Sequence, residues 1–477
     1  MASGFDALLD PGRLKEFGVG RGTVADVLSR IVMAAPDGVP QVDIASGTTL
    51  PGLAELPQGS VSRASSLLVR LGMLTREEPR VERPGRPIIP LRLGPGFVLA
   101  GVEIRHRGQR PAEVAGVLAP LDGTREAEGK QVSRDLKGSE DYQELVRTIA
   151  GVVRELTKGE TRKVLGVGVE LGGHVHQGTV MAVPSPAGDA FPLAEQVSRA
   201  LGGLPTVMEN DVNARAVMEI WKKDPASNKL RFPQQHFAVV AVFDEGVGAA
   251  LVIDRKLYRG GHGMAGEIGH LTVDHSRPYG TTPSGGGRSK PRLKGFDDPC
   301  PCARTSQRTE GAGYGHVDAL ATPTRIAGEL GIRFSRFAAA AREPGTDESG
   351  NQTRAGEVFR TAGQALGRGI AALLNIANPG NLLLLLPPEL VSPAAGTAAA
   401  QYRQAVEAAL DKDCFSTAAA DARAGRASLF VEPVDPEDAY QGARAAAACV
   451  LNSFIARAWG NDTGTLAEAT EAACATS

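Results

Sequence analysis

The chain has 477 residues, 42% of them hydrophobic and 22% charged, with a formal net charge of −2. At roughly 150 residues per domain this length predicts about three domains. The composition is that of a globular protein with room for sizeable cores. Near-neutral charge excludes a globally basic nucleic-acid binder, so any DNA contact must come from a local patch. No apolar run approaches the roughly 18 residues of a membrane span. The first residues lack a basic stretch leading into an apolar one, which argues against a secretory signal. Five cysteines are too few for a disulfide scaffold, and their number is odd. A reduced cytoplasmic setting is expected, with no membrane partner.

Thr23–Ala35 places Val24, Val27, Leu28, Ile31 and Val32 at helical spacing. Within the Gly/Pro-punctuated stretch that follows, either Gln41–Ser46 or Pro51–Leu56 supplies a second helix, and the latter is preferred. Pro57-Gln58-Gly59 reads as a turn. Ser60 reads as the N-cap of a helix running through Leu67, Leu68 and Leu71 to Gly72. Two short extended pieces around Arg83-Pro84-Gly85-Arg86-Pro87 then form a hairpin, or wing. Such a helix has the logic of one that enters a major groove. Ser60, Ser62, Arg63 and Ser66 come early, and the leucines that bury it come late. From Ser60 to Leu93 seven arginines stand against three acids, a local surplus of four positive charges. Arg83 and Arg86 at the wing tip suit a phosphate or a narrow minor groove. The other reading is a helical dimerisation or accessory domain whose serines are solvated.

From about residue 96 strands and helices alternate, which argues α/β architecture. Strands are expected at Phe97–Ile104, Glu113–Leu118, Lys163–Glu170, Leu204–Met208, Phe237–Phe243, Ala249–Ile253 and Leu382–Leu386. Helices are expected at Tyr142–Leu156, Glu357–Asn378 and Pro436–Trp459, the last with Asp435 as its cap. Ser276–Phe296 is Gly/Pro-rich and basic, and reads as a loop. Residues 461–477 read as a flexible tail. Glu209-Asn210-Asp211 falls where a strand ends and a helix begins, the place where ligands bind in such sheets. An Asn–Asp pair there can hold adjacent sugar hydroxyls, or can simply cap the helix. Gly266-Glu267-Ile268-Gly269-His270 adds a carboxylate and an imidazole. Cys300-Pro301-Cys302 and His316 follow.

With these motifs, together with Asn375-Ile376-Ala377-Asn378-Pro379, the sequence resembles the ROK family of bacterial repressors and sugar kinases. The resemblance covers nearly the whole chain. It implies an N-terminal winged helix-turn-helix over 1–95, followed by a two-lobed actin-like, sugar-kinase-like domain over 96–460. The small lobe would take about 96–207 plus the C-terminal helix, and the large lobe about 208–435. The resemblance also implies sugar contacts at Gly173, Asn210, Asp211, Glu267 and His270, with Asp318 in the place of a sugar-binding glutamate. It further implies a tetrahedral zinc set of His270, Cys300, Cys302 and His316, with His316 in the place of a third cysteine, and free thiols are the alternative. In a kinase member Asp211 would be the catalytic base. The phosphate-binding glycines of a kinase are replaced here by Arg105-His106, by Asp244-Glu245 and by Pro387-Pro388, so neither ATP use nor catalysis is expected. The implied protein is a sugar-responsive DNA-binding regulator of carbohydrate metabolism genes, a repressor. Its partners would be a DNA operator and a sugar or sugar phosphate effector, in a homodimer or homotetramer. The alternative is a kinase that phosphorylates a hexose with ATP.

Overall fold

The computed structural model describes the chain outside residues 1–4, 6–7, 36, 48–53, 81–86, 108–109, 122–129, 137–140, 183–189, 225–229, 233–235, 275–295, 297, 299, 301, 303–312, 416–427, 435–438, 459–465 and 468–477. It divides into two units, Met1–Pro233 with Tyr440–Ser477, and Gln234–Ala439. The boundary expected near 208 therefore lies at 233. The helix after Asn210 stays with the first unit because it packs against the C-terminal helix.

The first unit opens with α1 (Pro11–Phe17), α2 (Arg21–Ala34), β1 (Val39–Pro40), α3 (Gln41–Ser46) and α4 (Gln58–Leu71). The helix before α4 is thus Gln41–Ser46, and residues 54–56, the described part of the preferred stretch, are not helical. Ile44 and Ala45 form its buried face, and Gly47 at φ 67° ends it in a conformation that glycine adopts without strain. Buried Arg30 on α2 donates to the carbonyls of Ile44, at 2.6 Å, and Ala54, which ties the segment down. Helix α4 starts at Gln58, behind Pro57 and without a side-chain cap, so Ser60 is not its N-cap. Val61, Ala64, Leu67 and Leu68 are buried, and Ser62, Arg63 and Arg70 are exposed. β2 (Leu74–Arg76) pairs antiparallel with β3 (Pro90–Leu93), which also pairs with β1. Arg83 and Arg86 of the wing tip lie outside the described residues.

Next come β4 (Phe97–Arg107), β5 (Arg110–Pro120), β6 (Gln131–Asp135), α5 (Tyr142–Thr157) and β7 (Lys163–Leu171). The hairpin β8 (His174–His176) and β9 (Thr179–Ala182) leads to α6 (Leu193–Ala200), β10 (Thr206–Asn210) and α7 (Asp211–Trp221). β10, β7 and β4 run parallel, and β5 and β6 continue the sheet antiparallel. The period of two along β4 sends Val98, Ala100, Val102 and Ile104 into one core with α5 and α6. Phe97 and Leu99 enter the core shared with the N-terminal helices.

The second unit contains β11 (Phe237–Val242), β12 (Val247–Ile253), β13 (Lys256–Tyr258), α8 (Val317–Ala321), α9 (Pro323–Glu329), α10 (Phe337–Ala341) and α11 (Arg354–Ala377). It continues with β14 (Asn381–Leu386), α12 (Pro388–Val391), α13 (Ala398–Asp413) and β15 (Ser428–Pro433). Its sheet runs β13-β12-β11-β14-β15. The all-buried runs Phe237–Val242 and Asn381–Leu386 are its central strands, where both faces are covered.

α14 (Gln441–Ala458) and β16 (Leu466–Ala467) return to the first unit. Gly101 and Gly168 are register partners on β4 and β7. A Cβ on either would overlap the backbone of Ala443 or Ala446, so the bare α-carbons and an alanine-rich helix together allow close seating of α14 on the sheet. Further along α14, Phe454 meets Phe5 edge-on at 5.2 Å and shares a core with Leu28, Ile31, Leu67 and Leu68 of α2 and α4. Asp435 and Pro436 lie outside the described residues. Within the expected tail, Leu466–Ala467 pairs antiparallel with β10, whose edge would otherwise be open. Among the described residues no helix is long and apolar enough to cross a membrane.

Candidate functional site

In the first unit Asn210 ends β10 and caps α7. Its Oδ1 accepts from the N–H groups of Val212, at 3.0 Å, and Asn213, at 3.4 Å. Its Nδ2 donates to the carbonyl of Gly173 at 2.9 Å. Capping and ligand contact need not compete, since the amide nitrogen keeps a second hydrogen. Gly173 sits at φ +114°, in the region that favours glycine. Asp211 Oδ1 accepts from Val212 N–H at 2.7 Å. A Cβ placed on Gly172 would lie 3.3 Å from Asp211 Oδ2 and 3.9 Å from His106 Nδ1. The structure thus brings Gly173, Asn210 and Asp211 to the carboxyl ends of β7 and β10, with His106 of β4 beside them.

Behind this corner lies a row that the sequence reading missed. Glu103, Glu170 and Glu209 are register partners across β4, β7 and β10. Each is an acid near the end of an apolar strand, and that recurrence was the available signal. Burial pushes the Glu170 carboxyl well above the usual carboxylate range, with Arg215 opposing and Glu103 adding to the shift. Arg215, on α7, bonds Gln441 at the start of α14. Arg105 forms ion pairs with Glu103 and Glu113, each at 3.2 Å, and lies 5.5 Å from the Tyr440 ring centre.

In the second unit the Nδ1, Nε2 or Sγ atoms of His270, Cys300, Cys302 and His316 lie within 4.8 Å of one another. Cys300 Sγ is 3.5 Å from His270 Nδ1, and Cys302 Sγ is 3.6 Å from His316 Nδ1. With metal–sulfur and metal–nitrogen bonds of about 2.3 and 2.0 Å, a tetrahedral S–N edge is about 3.5 Å, so this donor set fits a four-coordinate metal. The bond to Cys302, together with burial, pushes the Cys300 thiol up. The same bond and the two imidazoles hold Cys302 far below a thiol's usual range. The bond to Cys302 raises His270 to about 9, against the effect of burial. The other ring nitrogen of His270 lies 3.5 Å from Glu267 Oε2. A carboxylate behind a ligating imidazole is what orients such a ring.

Glu267 and His270 are half-exposed neighbours, but Asp318 is buried. Asp318 Oδ1 accepts from Val247 N–H at 2.7 Å, and its Oδ2 lies 3.7 Å from Cys300 Sγ. The structure places it against the sulfur–imidazole cluster, both oxygens engaged, and not as an open hydroxyl ligand. Phe243 N–H bonds the Gly246 carbonyl, so Asp244-Glu245-Gly246 is a tight turn between β11 and β12.

On α4, Arg63 Nε donates to the Gly18 carbonyl at 3.0 Å and its Nη2 to Ser60 Oγ at 3.2 Å. Ser66 Oγ bonds the Ser62 carbonyl one turn earlier. Ser60, Ser62 and Arg63 lie in the first half of this helix and Ser66 just past its middle.

The family model described as "ROK family" matches residues 123–385. A putative xylose repressor of Caldicellulosiruptor sp. (strain Rt8B.4) is 32% identical over 144 residues, covering 29% of this chain and 34% of that protein. An N-acetyl-D-glucosamine kinase of Vibrio cholerae is 31% identical over 139 residues, covering 28% and 42%. These alignments span from about a third to two fifths of the relatives' lengths. The crystal structure of a ROK family transcriptional regulator, described as a homolog of the E. coli MLC protein, superposes over 92% of this chain and 98% of that one. Its TM-score is 0.63 at 16% identity, which establishes a shared fold. With more than half of its length matched by the family model, the chain belongs to the ROK family.

Proposed function

We propose that the chain is a sugar-responsive DNA-binding transcriptional regulator of carbohydrate metabolism genes, acting as a repressor and without kinase activity. The observation that carries this reading is the exposed Ser62–Arg63 end of α4, followed directly by the β2–β3 hairpin. A helix N-terminus bearing small polar and basic side chains suits a major groove, and a hairpin beside it suits the flanking backbone. Ser60, Ser62, Arg63, Ser66, Arg83 and Arg86 are the proposed DNA contacts. Gly173, Asn210, Asp211, Glu267 and His270 are the proposed sugar contacts, and Asp318 supports them through the metal cluster. Zinc is the metal assigned to His270, Cys300, Cys302 and His316, because two thiolates and two imidazoles suit it. The Arg105 side chain, held by two glutamates, supports a non-catalytic reading, since it occupies a hairpin that in a kinase must admit phosphate. The effector belongs to the sugars, as the names of the xylose repressor and sugar kinase relatives suggest. A dimer or tetramer on an operator completes the proposal.

The test is DNA selection from the organism's own genome, followed by anisotropy titration of the selected site. The titration is repeated with D-xylose, D-glucose or N-acetyl-D-glucosamine added. Site-specific binding that one of these sugars weakens is the expected result. The relatives named as kinases favour the second reading, and steady ATP-dependent phosphorylation of any of the three sugars would establish it.

A further inference from the structure

Cys300 stands 30 residues beyond its neighbour His270, and Cys302 stands 14 before His316. Bringing such distant groups together costs loop-closure entropy, which weakens metal binding unless the fold has already met it. The residues that lead into the cysteine pair are held by one short helix. Arg325 and Glu329 lie one turn apart on the same face of α9. Arg325 Nη1 donates to the carbonyl of Asp298 at 3.1 Å, and Glu329 Oε2 accepts from the N–H of Phe296 at 3.0 Å. The other oxygen of Glu329 takes Arg354 Nη2 at 2.6 Å, so the acceptor is itself fixed by the first residue of α11. Phe296 enters the core of the second unit together with Ile326 of α9. Arg325 is buried, and its charge lies among Asp298, Cys300, Asp318 and Glu245. A guanidinium buried that deeply needs its donors used and its charge matched. Neither backbone bond touches a donor atom of the cluster.

We propose that Arg325 and Glu329 are positioning residues of the metal centre. They grip the backbone at Phe296 and Asp298, hold Cys300 and Cys302 in place before the metal binds, and so raise its affinity. The proposal deepens the zinc reading and rests on it. A single residue separates the grip at Asp298 from Cys300, so few backbone torsions remain to be fixed there. The N–H of Cys300 is fixed in turn by the Gly313 carbonyl at 2.9 Å. A metal that meets ligands held in this way orders little chain on binding, which is the gain of preorganisation. Without the grip the same four ligands can still close on the metal, but the metal must order the cysteine arm itself. The role differs from that of Asp318, which faces the Cys300 sulfur and leaves the arm's backbone alone. Arg325 and Glu329 therefore govern how tightly the metal is held and not which atoms hold it.

The experiment uses the full chain and two probes, zinc(II) and cobalt(II). Zinc affinity is measured by competition with a chelator, and cobalt binding by its visible and charge-transfer bands. R325M removes the donor and E329L the acceptor, while R325K and E329Q restore one of each. N375A is the control. It removes the bonds from Asn375 to Asp413 and Phe415, and so loosens the second unit at the far end of α11 from Arg354. The expected result is about a tenfold rise in zinc Kd for R325M and E329L, with partial recovery in R325K and E329Q. N375A should keep the wild-type Kd, and every variant should keep the cobalt bands of two thiolates and two imidazoles. Unchanged Kd in R325M and E329L, an equal rise in N375A, or cobalt bands that lose a thiolate overturns the proposal and leaves the metal reading intact. A wild type that binds neither ion overturns both. Circular dichroism checks the fold of each variant. If R325M does not fold, E329L and E329Q give the same comparison.

Discussion

Asp318 accepts a hydrogen bond from Val247 N–H at 2.7 Å, and through its second oxygen it stands 3.7 Å from Cys300 Sγ and 3.8 Å from His270 Nδ1. One buried carboxylate therefore joins the start of β12 to the proposed metal cluster. The tight turn Asp244-Glu245-Gly246 precedes Val247 immediately, and its Asp244 carbonyl takes the N–H of Thr324 in α9. The turn is held from both sides by the second unit's own groups.

Asp318→Ala should destabilise the second unit by about 1–3 kcal/mol, the cost of leaving a buried N–H without its acceptor. Asp318→Asn keeps an oxygen facing Val247 and should cost clearly less. Guanidinium unfolding of both variants checks the order, and equal losses would show that charge beside the cluster outweighs the Val247 bond.

Cys302→Ser should remove a thiolate from the S₂N₂ set and lower the zinc content from about one equivalent per chain to well below it. Cys449→Ser is the control, because Cys449 is buried in α14 and belongs to the first unit. Metal analysis of chains prepared without chelator decides the matter. Equal zinc in the wild type and Cys302→Ser would exclude Cys302 as a ligand.

The strand ends at Asn210 and the paired donors at Cys300 and Cys302 were legible in the sequence. Each site there is built from neighbours in the chain, flanked by a clear change of period. What the sequence concealed depends on register. Nothing local says that Glu103, Glu170 and Glu209 stand side by side, because that follows from three parallel pairings between distant segments. The motif position of Asp318 is visible in the sequence, whereas its bond to Val247, 71 residues away, is not. Gln41–Ser46 is hard to distinguish from Pro51–Leu56 by sequence for another reason. A six-residue helix carries too few periods to be recognised, and its stability comes from Arg30, whose partners are backbone carbonyls.

Gly442→Ala should be destabilising even though alanine is the better helix former by about 0.8–1.0 kcal/mol. The added Cβ would overlap Glu170 Oε1 and lie 2.5 Å from Glu103 Cδ, and overpacking of this kind costs about 1–3 kcal/mol. Gly22→Ala, in α2 with nothing within 4 Å of the new Cβ, should gain stability. Thermal melts of the pair should move in opposite directions. A Gly442→Ala chain as stable as Gly22→Ala would show that α14 can lift from the sheet.

Glu170→Gln tests the buried carboxyl. Its folded pKa is raised by burial, so the folded chain keeps a proton that the unfolded chain releases near the ordinary value of about 4.3. The stability linked to it is complete below that value and is lost as pH rises through the folded pKa. A glutamine cannot ionise, so the variant should escape this loss and gain on the wild type as pH rises. Denaturant midpoints measured across that range check it, and parallel curves for the two chains would show that Glu170 does not titrate there.

Arg63 has two roles to separate. It braces α4 against the end of α1 through the Gly18 carbonyl, and it stands exposed beside Ser60 and Ser62 on the proposed DNA face. Arg63→Ala should weaken binding to a selected operator by about 1–3 kcal/mol and relax preference at one base pair if the guanidinium reads a base edge. If it meets a phosphate, the loss should be even across sequences and the salt slope should fall by about one. Arg63→Lys keeps the charge without the fork, so it should resemble the wild type on a phosphate and Arg63→Ala on a base. The exposed bond to Gly18 gives a separate stability loss of about 0.5–1.5 kcal/mol, read by thermal melting without DNA. Loss of stability with full operator affinity would make Arg63 a brace alone and move the DNA-reading surface off this end of α4.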